Sequence, residues 1–119
     1  MKLSGPKVLL HLEGFVVLFA AGTLYRDIGG TWGKFAALFF VPDLLMVGYV
    51  FGEKAGAWTY NAGHTYATPF LFWVVLYFTH RTSFLPLVLI WVAHIGFDRF
   101  LGYGLKYPTA FKDTHLGRI

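Results

Sequence analysis

The chain has 119 residues, of which 56% are hydrophobic, 20% aromatic and only 13% charged, with a formal net charge of +4. A soluble fold this small cannot hide so much apolar surface, so the composition points to an integral membrane protein. The basic residues flank the apolar runs, where they meet lipid headgroups rather than nucleic acid, and the absence of cysteine excludes disulfides, iron–sulfur clusters and thiolate metal sites.

About 20 apolar residues cross a bilayer core, and four such runs follow one another. The first covers residues 7–25 and ends at "RDIGGTWG". Lys2 and Lys7 before "VVLFAAG" resemble a signal peptide, but His11 and Glu13 interrupt the apolar run, so a retained helix is expected. The second covers residues 34–51 and ends at "GEKAG"; the third covers 58–80 and ends at "HRTS"; the fourth covers 84–101. Pro42 and Pro69 are expected to kink the second and third spans. Trp32 and Trp58 fall at span ends, as interfacial anchors do.

Short loops make neighbours antiparallel. The expected fold is therefore all-α: one polytopic domain over residues 1–119, an antiparallel bundle of four transmembrane helices, with residues 102–119 as a polar cytoplasmic tail. Lys2, Lys7, Lys54, Lys106, Lys112 and Arg118 fall on one side and Arg26, Lys34 and Arg81 on the other. The positive-inside rule then puts both termini in the cytoplasm and the protein in the inner (plasma) membrane.

Every span carries an ionisable residue well inside it: His11 and Glu13, Asp43, His64, and His94 with Asp98. At the rise of an α-helix, Glu13 lies roughly 9 Å below the cytoplasmic end of its span, Asp43 roughly 12 Å, His64 roughly 9 Å and His94 roughly 10 Å. The spans alternate in direction, so this common level does not follow from sequence position. His94 and Asp98, at i and i+4, share a helix face. Two or three imidazoles and two or three carboxylates at one level form a reasonable ligand set for a divalent ion, zinc first, with manganese or iron as alternatives. Asp43, His64, His94 and Asp98 are the expected ligands, and Glu13 a fifth ligand or general base.

Singly, each residue has a plainer reading. His11 can hydrogen-bond across helices, and Glu13 can pair with a tail lysine. Asp43 can cap a helix restarted after Pro42, and Asp98 can pair with Arg99 at the interface. The common level argues for a site, because a charge at the bilayer centre costs at least about 2.5–3.5 kcal/mol. Around His64, the small residues Ala62, Gly63, Thr65 and Ala67 allow close helix approach, and Asn61 is placed to donate from behind it. In the tail, Lys106, Lys112, Asp113, His115 and Arg118 form either a phosphate-binding lid or a solvated basic end.

The strings "HLEG", "VPDLLMVGY", "YNAGHTY", "AHIGFDRFLGYGLKYP" and "FKDTHLGRI" resemble a family of short bacterial membrane proteins, the domain of unknown function numbered four-two-six-zero. That resemblance implies a four-helix membrane fold and no assigned activity. Pro42-Asp43, His64, and His94 with Asp98 are also similar, more loosely, to motifs of inner-membrane metal-dependent hydrolases. Those carry two histidines in the middle motif, where this chain has His64 followed by Thr65 and Tyr66. Either one ligand is missing here, or Glu13 or His115 replaces it. Together these features suggest a metal-dependent hydrolase acting on a membrane lipid or another substrate at headgroup level. The alternatives are a small transport or proton-relay protein, which needs a homo-oligomer, and a structural membrane protein with internally paired charges.

Overall fold

A computed structural model describes residues 5–109 and 112–118. Among these, regular structure is helical except for one isolated bridge between Lys106 and Thr114. The elements in order are α1 (Gly5–Asp27), α2 (Trp32–Leu38), a 3-10 helix (Val41–Phe51), α3 (Glu53–His64), α4 (Ala67–Phe78), a short 3-10 turn (Thr82–Phe84), α5 (Leu85–Leu101) and α6 (His115–Arg118). Three helical stretches, Gly5–Asp27, Trp32–Phe51 and Thr82–Leu101, are long and apolar enough to cross a membrane. Large side chains along them point outward, among them Phe19, Leu44, Val47 and Val50, as a lipid-facing surface requires.

The expected third span is not one helix. α3 begins at Glu53, ends at His64 and is followed by Thr65 in an extended conformation (φ −101°, ψ 142°) before α4 starts at Ala67. Pro69 explains the break. It has no N–H to give the Thr65 carbonyl, and its ring would clash with that carbonyl in a continuous helix. α4 is apolar but has only 12 residues, about 18 Å of helix against a hydrocarbon core of about 30 Å. Pro42 has a similar effect on the second stretch: α2 stops at Leu38, and Val41–Phe51 continues as a 3-10 helix with Pro42 in its first turn.

The expected polar loop after that stretch shrinks to one residue. Gly52 alone separates the 3-10 helix from α3, with φ at +116°, a conformation that favours glycine. A 3-10 helix has three residues per turn, so Pro42, Leu45 and Gly48 line one edge. That edge meets α3: a Cβ on Gly63 would lie 2.6 Å from the Leu45 side chain and 3.2 Å from the Pro42 carbonyl, and one on Gly48 would lie 2.9 Å from the Ala55 carbonyl.

α1 crosses α5 just as closely. A Cβ on Gly14 would sit 2.6 Å from the Gly96 carbonyl oxygen and the Phe100 nitrogen; one on Gly96 would sit 2.7 Å from the Gly14 oxygen. Backbone touches backbone there, as small residues permit between helices in lipid. Towards the other end of these helices, Phe35 of α2 and Phe39 just after it pack against Ala21, Tyr25, Leu89 and Ala93 to form the apolar core.

The segment after α5 folds back onto the helices. Asn61 of α3 brackets the backbone of Lys106, giving its Nδ2–H to the carbonyl (2.8 Å) and accepting the N–H on Oδ1 (2.6 Å). The Leu105 N–H donates to His115 Nδ1 at 2.7 Å, and Leu116 is fully buried. Arg118 chelates Asp113 at 2.8 and 2.6 Å and stacks over Tyr107.

The helix crossing and the tail each give a measurable expectation. Gly14→Leu should force α1 and α5 apart and destabilise the fold by about 1–3 kcal/mol or more. Gly22→Leu, where a Cβ meets nothing within 4 Å, should be close to neutral; unfolding in mixed detergent micelles compares the two. In the tail, the Arg118 guanidinium and then the Thr109 hydroxyl hold the Asp113 carboxyl down to about 2. A depressed carboxyl stabilises the fold above its unfolded pKa, so the stabilisation should be intact above about pH 4 and be lost between about 4 and 2. The Arg118 side-chain NMR resonances should move over that window, and Asp113→Asn should abolish the shift.

Candidate metal centre

Three elements bring four side chains together. Asp43 lies in the first turn of the Val41–Phe51 helix, His64 is the last residue of α3, and His94 and Asp98 are one turn apart on α5. The two imidazoles are fully buried, Asp98 nearly so, and only Asp43 is partly open, its side chain 33% exposed.

The geometry is tight. His64 Nε2 lies 3.0 Å from Asp43 Oδ1, 3.1 Å from His94 Nε2 and 3.3 Å from Asp98 Oδ2. His94 Nε2 lies 3.3 Å from each of the same two carboxylate oxygens. No two of the four atoms are more than 4.8 Å apart. Zinc binds nitrogen and oxygen ligands at about 2.0–2.1 Å, and a tetrahedron of that radius has edges of about 3.3 Å. Five edges of the cluster thus approach the length that a tetrahedral ion needs. This buried Asp/His/His/Asp group could hold a metal ion.

The break after α3 shapes this arrangement. A helix ending among apolar neighbours leaves its last carbonyls without partners. Here Asn61 O takes the Thr65 N–H at 2.9 Å and Tyr60 O takes the His64 Nδ1–H at 2.7 Å. Gly63 O takes the Trp91 indole N–H at 2.7 Å, and His64 O takes an Arg99 N–H at 3.0 Å. α5 therefore supplies the end of α3 with donors as well as supplying the cluster with ligands. Because the His64 Nδ1 proton goes to Tyr60 O, its Nε2 presents a lone pair to the centre. The Tyr60 ring also lies flat against the His64 ring, centroids 3.8 Å apart and planes within 5°. His94 is held differently, by the edges of Phe39 and Phe40. Its Nδ1 is buried without a hydrogen-bond partner among the described residues.

The charge of the group depends on how its protons are placed. In the form that binds metal, with both carboxylates ionised and both imidazoles neutral, the four side chains would carry −2, the charge that one divalent cation offsets. An uncompensated charge in such surroundings is strongly disfavoured.

The remaining candidates lie elsewhere. Glu13 is exposed on α1, outside the four-residue group. His11 Nδ1 faces the Phe100 carbonyl at 2.7 Å. Asn61 and His115 bind tail backbone. The Lys106 ammonium is buried over the Tyr60 ring, 4.8 Å from its centroid. Asp43 does not cap its helix: Phe40 occupies the N-cap position with no side-chain bond. Asp98 turns to the imidazoles, while Arg99 hydrogen-bonds the His64 and Tyr103 carbonyls.

The supporting residues Tyr60 and Trp91 did not stand out in the sequence, and Arg99 stood out only as an interfacial partner for Asp98. Part of the signal was present: Trp91, His94 and Asp98, at i, i+3 and i+7, form one helical face.

No curated protein and no solved structure matched the chain. One family model did, over residues 7–119, and the chain therefore belongs to the family described as Domain of unknown function (DUF4260).

Proposed function

We propose that the protein is a membrane metalloprotein in which Asp43, His64, His94 and Asp98 hold one divalent transition ion, zinc foremost, with manganese or iron as alternatives. The observation that carries this reading is the set of five 3.0–3.3 Å separations among Nε2 and Oδ atoms from three elements. Four side chains meeting this closely would be difficult to pack without a shared cation or shared protons.

We propose further that the centre hydrolyses an ester or phosphodiester of a membrane lipid. When bound, such an ion polarises carbonyl or phosphoryl oxygens and lowers the pKa of a water. Two features support a lipid substrate. Asp43 leaves one edge of the ligand set partly open. A cavity of about 440 Å³, lined by Val41, Pro42, Leu45, Ile90 and Trp91 among others, begins one residue from Asp43 and within a turn of His94. Its apolar walls suit an acyl chain. Glu13, exposed on α1, has no assigned role in this reading. The distribution of Lys and Arg supports a plasma-membrane protein with both termini cytoplasmic, α3 and α4 together making the third of four crossings.

One observation favours a second reading, an internally hydrogen-bonded polar network without metal. A His bound to metal through Nε2 usually donates its other N–H to an acceptor, and His94 Nδ1 has none among the described residues. In such a network His94 would carry its proton on Nε2 and share it with His64 Nε2 and the carboxylates.

Metal analysis after mild detergent extraction without chelator separates the two. The metal reading expects close to one equivalent per chain, falling below about a tenth in His64→Ala and Asp98→Asn, and a chelator-induced drop in melting temperature. A metal-free wild type whose melting temperature ignores chelator would establish the network instead. For the reaction, loaded protein in phospholipid vesicles should release fatty acid or phosphorylated headgroup, and Asp43→Asn should abolish that release. Equal release by loaded wild type and Asp43→Asn would reject hydrolysis at this centre.

A further inference from the structure

His64 is supported by a stack that ends in the C-terminal segment. The Tyr60 ring lies against the imidazole, and the Lys106 ammonium lies over the Tyr60 ring. Tyr60 and Lys106 are both nearly inaccessible. The backbone of Lys106 is clamped by both ends of the Asn61 amide, and Asn61 is the residue after Tyr60. Further along, the His115 N–H and Nδ1 both bond the backbone of Leu105. Residues more than 40 positions apart are thus joined where a metal ligand is anchored. A tail serving only as a solvated basic end would not bury a lysine against the ring that backs a ligand.

We infer that Tyr60 and Lys106 are positioning residues for the ligand His64, and that docking of the C-terminal segment sets how firmly the centre retains its ion. The Tyr60 carbonyl fixes the His64 tautomer and its ring fixes the plane of the imidazole. Lys106 caps that ring through a cation–π contact, and the Asn61 clamp keeps Lys106 in place. Release of the segment uncovers Tyr60, frees the imidazole to rotate and lets the ion leave. This inference rests on the metal reading above. Partners of this kind behind a ligand typically alter metal affinity by about 10–100-fold.

The test is chelator-driven release of zinc from full-length, zinc-loaded protein, followed with a zinc indicator. Lys106→Ala and Tyr60→Leu should each release zinc about tenfold faster than wild type. Asn61→Leu, which removes the clamp but leaves the stack's residues intact, should do the same. Lys106→Arg, which keeps a cation over the ring, should stay near the wild-type rate. The direction for Lys106→Ala is diagnostic. Removing a positive charge beside a dication would by Coulomb's law alone tighten binding, so slower release means that only charge was acting. Unchanged or slower release in Lys106→Ala and Asn61→Leu overturns the inference. If one variant does not fold, the other two decide the question in its place. Wild-type metal content is read first: a wild type that holds no zinc overturns the metal reading and this inference together, whereas a zinc-holding wild type with indifferent variants overturns this inference alone.

Discussion

The structure depends on how the end of α3 is completed. A helix that stops among apolar side chains exposes backbone carbonyls where water is scarce, and each one left bare would cost several kcal/mol. Trp91 and Arg99 on α5 reach across to the Gly63 and His64 carbonyls, while Thr65 and the His64 ring satisfy the preceding turn. Those bonds fix α3 against α5 in position and rotation. Once they are made, His64 faces His94 and Asp98 on the same α5 surface.

The chemistry of the cluster follows from that docking. His64 and His94 are inaccessible to solvent, so the protons and charge of the group must be balanced internally or by a bound ion. Asp43 is the exception, its side chain 33% exposed, and the preceding residue, Pro42, lines an apolar cavity. Three buried members and one partly exposed one leave the group open to solvent mainly at Asp43.

Much of this was legible in the sequence, and the rest was hidden for physical reasons. Apolar runs revealed the helices, and a fixed rise per residue placed Asp43, His64 and His94 at one level. Glu13 lay at that level too, but depth says nothing about rotation. The next residue, Gly14, is the one pressed against α5, and a step of about 100° around the helix turns Glu13 outward. α1 is apolar on most of its surface, so its hydrophobic pattern could not reveal which side faces α5. The break at Thr65 was signalled by Pro69 but masked by unbroken hydrophobicity across residues 67–78. The link between Asn61 and Lys106 joins residues 45 positions apart, a separation at which sequence pattern carries little information about contact.

The one-residue turn at Gly52 has a consequence for how the ligands assemble. With no slack between them, the Val41–Phe51 helix and α3 form a single stiff arm that carries Asp43 and His64 together. α5 carries His94 and Asp98 as a second arm. The four donors therefore behave as two preformed pincers, not as four independent groups. An ion held between them would join the two arms at a second point, beside the Trp91 and Arg99 bonds that already tie α3 to α5.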